Sequence, residues 1–291
     1  MLRSMYSGIS GLKNFQTKLD VIGNNISNVN TYGFKKGRTV FKDMISQTTS
    51  GASAATATRG GVNPKQVGLG SQVASIDTIH TGGSLQSTGR VLDLAISGDG
   101  FFQLADGAGG SATTDPTGYA TGRLFSRAGN FYMDSRGFIV NGDGKYLVGT
   151  TPSAADPTIP SNPAKPIKIP TDAQSMSIGQ DGSVTFVDVG GNLRTAGQIM
   201  LVKFPNSGGL TKTGANYFEK SPASGDPTPL AGAAPLTDGL GGVQSGFLEM
   251  SNVDLSEEFT EMIVAQRGFQ ANTRIITTSD EILQELVNLK R

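Results

Sequence analysis

The feature that most limits what this chain can become is where its helix breakers fall. All thirteen prolines lie between Pro64 and Pro235, and the 37 residues from Leu255 onward contain a single glycine, Gly268. The middle carries glycine or proline every few residues. Proline lacks the helical donor and costs a helix interior roughly 3 kcal/mol, and glycine costs about 1 kcal/mol. Long helices are therefore expected only at the two ends, with short strands and turns between them. The expected class is α+β: paired, coiled-coil-like terminal helices and a central antiparallel β domain of sandwich or barrel type.

Periodicity supports this division. Met5, Leu12, Leu19 and Ile26 recur every seven residues, Leu2 and Ile9 precede the first two by three, and Phe15, Ile22 and Val29 form a neighbouring track. The pattern predicts a helix over residues 2–29, about 40 Å long at roughly 1.5 Å per residue, with Asn30 and Gly33 supplying its stop. At the other end Leu255, Met262, Phe269, Ile276 and Leu283 are again spaced by seven, and Ile282, Leu286 and Leu289 widen the stripe. Asp254 and Glu257 look like a cap and an acid at the third helical position of a helix over 254–290.

Charge separates the ends. Residues 1–42 hold seven basic side chains and one acid, whereas residues from Ser251 onward hold seven acids and four bases. The ends attract one another, but a buried Leu or Met contributes only about 1.5–3 kcal/mol, so two helices sharing one seam are close to break-even after ordering. A wide apolar stripe needs further neighbours, which copies of the same pair around a common axis would supply. The plainer reading of the periodicity is a pair of surface helices on an ordinary core.

Within residues 66–246 the signals are strands and tight turns. Phe101–Leu104, Asn130–Met133, Phe138–Val140 and Tyr146–Val148 are set off by Asp99-Gly100, Arg136-Gly137 and Asn141-Gly142-Asp143-Gly144, residues that supply positive φ. A second set, Ser175–Ile178, Ser183–Val187 and Gly197–Phe204, follows. Residues 152–170 contain six prolines and read as an extended loop. Residues 31–65 and 247–253 read as connectors, and Thr48–Asn63 has no core-forming pattern, which predicts disorder or ordering by a partner.

Little points to catalysis or ligand binding. Cysteine is absent, His80 is the one histidine, and 24 basic residues balance 24 acidic ones, which removes thiolate chemistry and any overall field that would draw nucleic acid. His80, beside Gly82-Gly83, reads as a structural or exposed loop residue. Gly144-Lys145-Tyr146 lacks the hydroxyl residue of a phosphate loop, and Asn141–Gly144 lacks the first and twelfth ligands of a calcium loop. Lys35, Lys36 and Arg38 read as a solvated basic face. No catalytic residue, cofactor, metal or small-molecule substrate is expected. Neither a continuous signal-peptide core nor a membrane-spanning run is present.

Two segments resemble a known family. Asn24-Asn25-Ile26-Ser27-Asn28-Val29-Asn30-Thr31-Tyr32-Gly33-Phe34 resembles the N-terminal signature of bacterial flagellar rod and hook proteins. Asn252-Val253-Asp254-Leu255 with Ala265-Gln266-Arg267-Gly268 resembles their C-terminal helix. The resemblance covers nearly the whole chain and is weakest over residues 48–63 and 106–118. It implies a structural subunit whose terminal helices, residues 1–30 and 254–291, line a tube of many copies, with the β domain outside.

Further expectations follow from the resemblance. Partners would be other copies, rod and hook–filament junction proteins, the hook cap and the type III export apparatus, and export would use no cleaved signal peptide. Asn252–Leu255 and Ile263–Arg267 are more similar to hook than to distal rod, and an aromatic content of 7% with Gly-rich loops suits the compliant outer contacts of a hook. The chain is short for a hook with its additional outer domain, so the distal rod is the alternative. The reading from another class is a secreted β-rich binding protein or enzyme.

Overall fold

The computed structural model describes residues 2–56, 58–107, 122–152 and 160–289. They form two compact units. One holds the described residues of 1–27, 36–79 and 253–291; the other holds 28–35 and 80–252.

The helical unit is built on α1 (Leu2–Ser27) and α2 (Leu255–Asn288). The helices run antiparallel: Gly8 lies beside Ile276, Gly11 beside Asn272 and Phe15 over Gly268, and Lys18 reaches Glu261 at 2.5 Å. Asp254 caps α2, its side chain accepting from the Ser256 and Glu257 amides. Glu257 stands in the first turn as expected, and its carboxylate meets Lys36 at 2.7 Å. Lys290 and Arg291 lie outside the described residues. At the other helix, α1 ends at Ser27 and not at Asn30. Gly33, with φ of +69°, serves a close approach: a Cβ there would sit 2.5 Å from the Ala128 backbone nitrogen.

Residues 36–79 correct the expected connector. Strands β1 (Gly37–Asp43) and β4 (Ser71–Thr78) pair antiparallel, and β2 (Ser46–Ser50) pairs with β3 (Lys65–Gly68) beyond them. Bridges Ser53–Val62 and Thr56–Arg59 carry the ribbon further. Its base packs on α1 through Phe15 against Phe41, ring centroids 6.1 Å apart, and through Asn14 donating to Ser71 Oγ at 2.8 Å. Every position of β2 and β3 is exposed, so the low-complexity sequence forms backbone-paired ribbon with no core of its own. The boundary placed at residue 66 shifts accordingly, since β3 and β4 belong with the helices.

The β unit contains a branched antiparallel network of thirteen strands. Its spine runs Ser175–Ile178, Ser183–Val187, Leu193–Ile199, Tyr146–Pro152, Phe101–Ala105, Leu124–Ser126, Tyr217–Glu219, Thr211–Gly214. Phe131–Met133, Ile139–Asn141 and Tyr146–Pro152 form the expected meander. The proline-rich stretch differs from expectation: Pro160–Pro166 is a strand paired only with Tyr146–Pro152, an edge position where missing amide donors are tolerated. Phe101–Ala105 is buried along its length. Phe102 and Leu104 enter the main core with Leu94, Phe131, Ile139 and Leu147, while Phe101 faces a second cluster with Phe125, Phe204 and Phe218. A strand covered on both faces reads as a near-continuous apolar run, as Phe-Phe-Gln-Leu-Ala does apart from Gln103, whose side-chain oxygen accepts from Arg123 at 2.9 Å.

Candidate assembly surface

The predicted heptad stripe forms only part of the seam between α1 and α2, where Ile276 lies against Gly8. Met5, Leu12, Leu19, Ile26, Met262, Ile276 and Leu283 are half-buried, Ile9, Leu255 and Phe269 are exposed, and the Leu2 side chain lies outside the described residues. Apart from Ile22, what is buried on the two helices is small or polar: Gly8, Gly11, Asn14 and Asn25 on α1, and Glu258, Ala265 and Ser279 on α2. Small residues let the backbones approach closely. A Cβ on Gly268 would fall 2.6 Å from the Phe15 ring, and one on Gly11 2.8 Å from Asn272. The buried track Glu258, Ala265, Ser279 is spaced by seven and then fourteen, but hydrophobicity does not mark it.

Many of the large apolar side chains are left facing outward. On α2, Phe259, Ile263, Val264, Leu286 and Val287 are between 49% and 65% exposed, and Tyr6 on α1 is 69% exposed. Exposed apolar residues along most of a 34-residue helix exceed the scattered ones that a monomer's surface ordinarily carries.

Asn25 organises the lower end of the helical unit. Its amide donates to the Gly37 carbonyl at 2.9 Å and its oxygen accepts from the Gly37 amide at 2.9 Å, so one side chain replaces a backbone partner for the start of β1. The same amide reaches Glu258 Oε2 at 3.1 Å. Burial, aided by neighbouring Glu257 and Glu261, raises the Glu258 carboxyl above its ordinary range, with Asn25 and Lys36 opposing. The cleft here, ≈ 330 Å³ and lined by Lys18, Lys36, Arg38, Glu257, Glu258 and Glu261 among others, is of mixed charge with Lys18–Glu261 and Lys36–Glu257 already paired.

Other signature residues serve the β unit. Asn28 accepts from the Thr31 hydroxyl at 3.1 Å, Asn252 donates to Thr81 Oγ1 at 2.9 Å, and Phe34 is buried beneath the Lys212 ammonium, 5.0 Å from its ring centre. Asn24, Asn30, Gln266 and Arg267 are exposed. The expected basic face disperses: Lys35 is buried against Glu249 at 2.5 Å, Lys36 pairs with Glu257, and Arg38 lies 3.5 Å from Asp77. The signal for Lys35 was available in Leu248-Glu249, an acid in the short strand Phe247–Glu249 whose last two positions are buried. Among the described residues no group of three or more His, Cys, Asp or Glu is placed to hold a metal.

Comparison with known proteins decides the family. Residues 5–35 match the flagella basal body rod protein family, residues 95–186 the flagellar hook protein FlgE/F/G D1 domain, and residues 244–289 the flagellar basal body rod FlgEFG protein C-terminal domain. The chain is 58% identical over 291 residues to the flagellar basal-body rod protein FlgG of Bacillus subtilis, covering 100% of both chains. This chain belongs to the flagellar rod and hook protein family. FlgG of Borreliella burgdorferi is 36% identical over 296 residues, and the hook protein FlgE of that organism 33% identical over 457, each with 100% of both chains covered. The relatives are structural components of the flagellum; this chain has an α+β architecture of terminal helices and antiparallel β-sheet.

Proposed function

We propose that the chain is a subunit of the flagellar rod, most simply the distal rod, and polymerises through its terminal helices. The observation that carries this reading is end-to-end identity of 58% with a basal-body rod protein. Length supports it: the rod relatives align over 291 and 296 residues, whereas the hook relative needs 457. The hook preference drawn from Asn252–Leu255 and Ile263–Arg267 gives way, because a short motif shared across a family discriminates less than the whole length. The outward apolar face of α2 supplies the surface for neighbouring copies, and the exposed ribbon over 46–68 supplies lateral reach. Other axial proteins, the hook cap and the export apparatus are the expected further partners, the basal body the expected location, and export without a cleaved signal the expected route.

Electron microscopy of polymers assembled from the purified chain tests both levels. A rod predicts straight, stiff tubes whose form is unchanged across pH and salt, while curved or supercoiled tubes would restore the hook reading. Ile263→Asp, at a site 53% exposed, is expected to leave the monomer folded and abolish tubes, because the charge would be buried without a partner in the polymer at a cost of several kcal/mol. Normal tubes from this variant would remove α2's outer face from the assembly surface.

A further inference from the structure

Residues 28–35, from His80 onward, and up to Asn252 are the stretches by which the chain enters and leaves the β unit. Inside that unit they are tied together around one carboxylate. Glu249 Oε1 accepts from Lys35 Nζ at 2.5 Å and from the Gly83 amide at 3.0 Å, and Oε2 accepts from Arg127 Nη1 at 3.2 Å. The Glu249 carbonyl accepts from the Gly33 amide at 2.8 Å. Lys35 also donates to the Thr81 carbonyl at 2.7 Å, and Asn252 holds the Thr81 hydroxyl. Lys35, Arg127 and Glu249 are each no more than 2% exposed, so two cations and one anion share a buried site.

His80 immediately precedes this knot. Its ring lies edge-on between Phe101 and Phe218, at centroid distances of 5.5 and 5.3 Å, and both ring nitrogens are buried without a hydrogen-bond partner. The charged groups that act on it are Lys35 from the incoming segment, Arg127 following strand Leu124–Ser126, and Lys212 from strand Thr211–Gly214, all cations; the Ser207 backbone is a weak opposing influence. Only a neutral imidazole suits such a place.

We propose that His80 and the Lys35–Glu249–Arg127 cluster form an acid-sensitive latch, in which protonation of His80 sets a fourth cation against a single carboxylate and frees the three tethered segments from the edge of the β unit. The latch is a property of the β unit and stands whether or not the rod reading holds. Burial, then the three cations, pushes the His80 imidazole down to about 4, and opening returns it to the ordinary value near 6.5. The open state then binds the extra proton, so the closed latch loses stability as pH falls from about 6.5 to about 4, and opening rises roughly fiftyfold between pH 7 and pH 4.5.

The test uses the full chain. With one histidine in the sequence, its imidazole Cε1–H gives a single proton resonance, whose titration is expected near pH 4; a midpoint near 6.5 overturns the proposal. Amide exchange at Gly33 and Gly83, corrected for the intrinsic rate at each pH, is expected to accelerate about fiftyfold from pH 7 to pH 4.5, and His80→Phe to remove most of that rise while keeping the ring packing. An unchanged rise in His80→Phe would make a carboxylate the trigger and overturn the proposal. If His80→Phe does not fold, the wild-type titration and wild-type exchange together decide, and absence of acceleration at pH 4.5 overturns it equally.

Discussion

The helical unit and the β unit spend their apolar residues in opposite ways. In the β unit Leu94, Phe102, Phe131, Ile139, Leu147 and Val184 are all 0% exposed, and the core closes within one chain. In α2 the buried positions are Glu258, Ala265 and Ser279, and many of the large side chains face outward. A unit that buries its hydrophobic residues is stable alone; one that buries small and polar residues and exposes Phe259, Ile263 and Val287 keeps its hydrophobic free energy for association. The difference separates a unit whose apolar core closes within the chain from one whose exposed apolar side chains suit the proposed assembly.

The largest effect that could break this comparison is expected in the β core. Phe102→Ala removes a ring packed edge-on against Phe131 at 5.3 Å and is expected to cost about 3–5 kcal/mol, read as a lower denaturation midpoint of the monomer. A loss under about 1 kcal/mol would show that the β core is not what holds the monomer together.

A smaller, two-sided test addresses the helical seam. Gly268→Ala places a methyl 2.6 Å from the Phe15 ring and is expected to weaken α1–α2 packing by about 1–3 kcal/mol, more than the gain of roughly 1 kcal/mol in helix propensity. Gly23→Ala meets nothing within 4 Å and is expected to stabilise α1 by about 0.5–1 kcal/mol. Amide exchange along both helices reads the two changes. Similar gains from both would mean that the helices do not approach closely at Phe15.

The smallest effect concerns pH, and its sign is opposite to that of His80. Because burial raises the Glu258 carboxyl in the folded state, its contribution is fully present below the ordinary value of 4.5 and is lost as pH rises through the raised one. Protection of the α1–α2 seam is therefore expected to decline as pH rises from there, and Glu258→Gln to flatten that decline. Protection that instead increases with pH in the wild type and not in Glu258→Gln would reverse the assignment of Glu258 as a poorly ionised group.

Legibility differed by region for physical reasons. Turn chemistry is local, so Asn141–Gly144, Asp181-Gly182 and the strands around them could be read directly: Asn141 Oδ1 accepts from the Asp143 and Lys145 amides, an interaction made within five residues. The ribbon over 36–79 was not legible, because its Ser, Thr and Gly residues pair through the backbone and leave no hydrophobic alternation. Lys35 reads as solvated and His80 as structural or exposed from sequence alone, because their partners, Glu249, Phe101, Arg127 and Phe218, are distant in the chain.

The sequence by itself determined that the ends are helical and amphipathic, that they carry opposite charge, and that the middle is antiparallel β, since breaker placement, periodicity and turn residues act over a few positions. Tertiary structure alone decided which face of each helix is covered. Periodicity says that Leu255, Phe269 and Ile263 seek an apolar neighbour but not whether that neighbour is in the same chain. The seam went to Gly8, Gly11, Ala265 and Gly268 because close backbone approach depends on the absence of side chains, a quantity that hydrophobic patterning does not record.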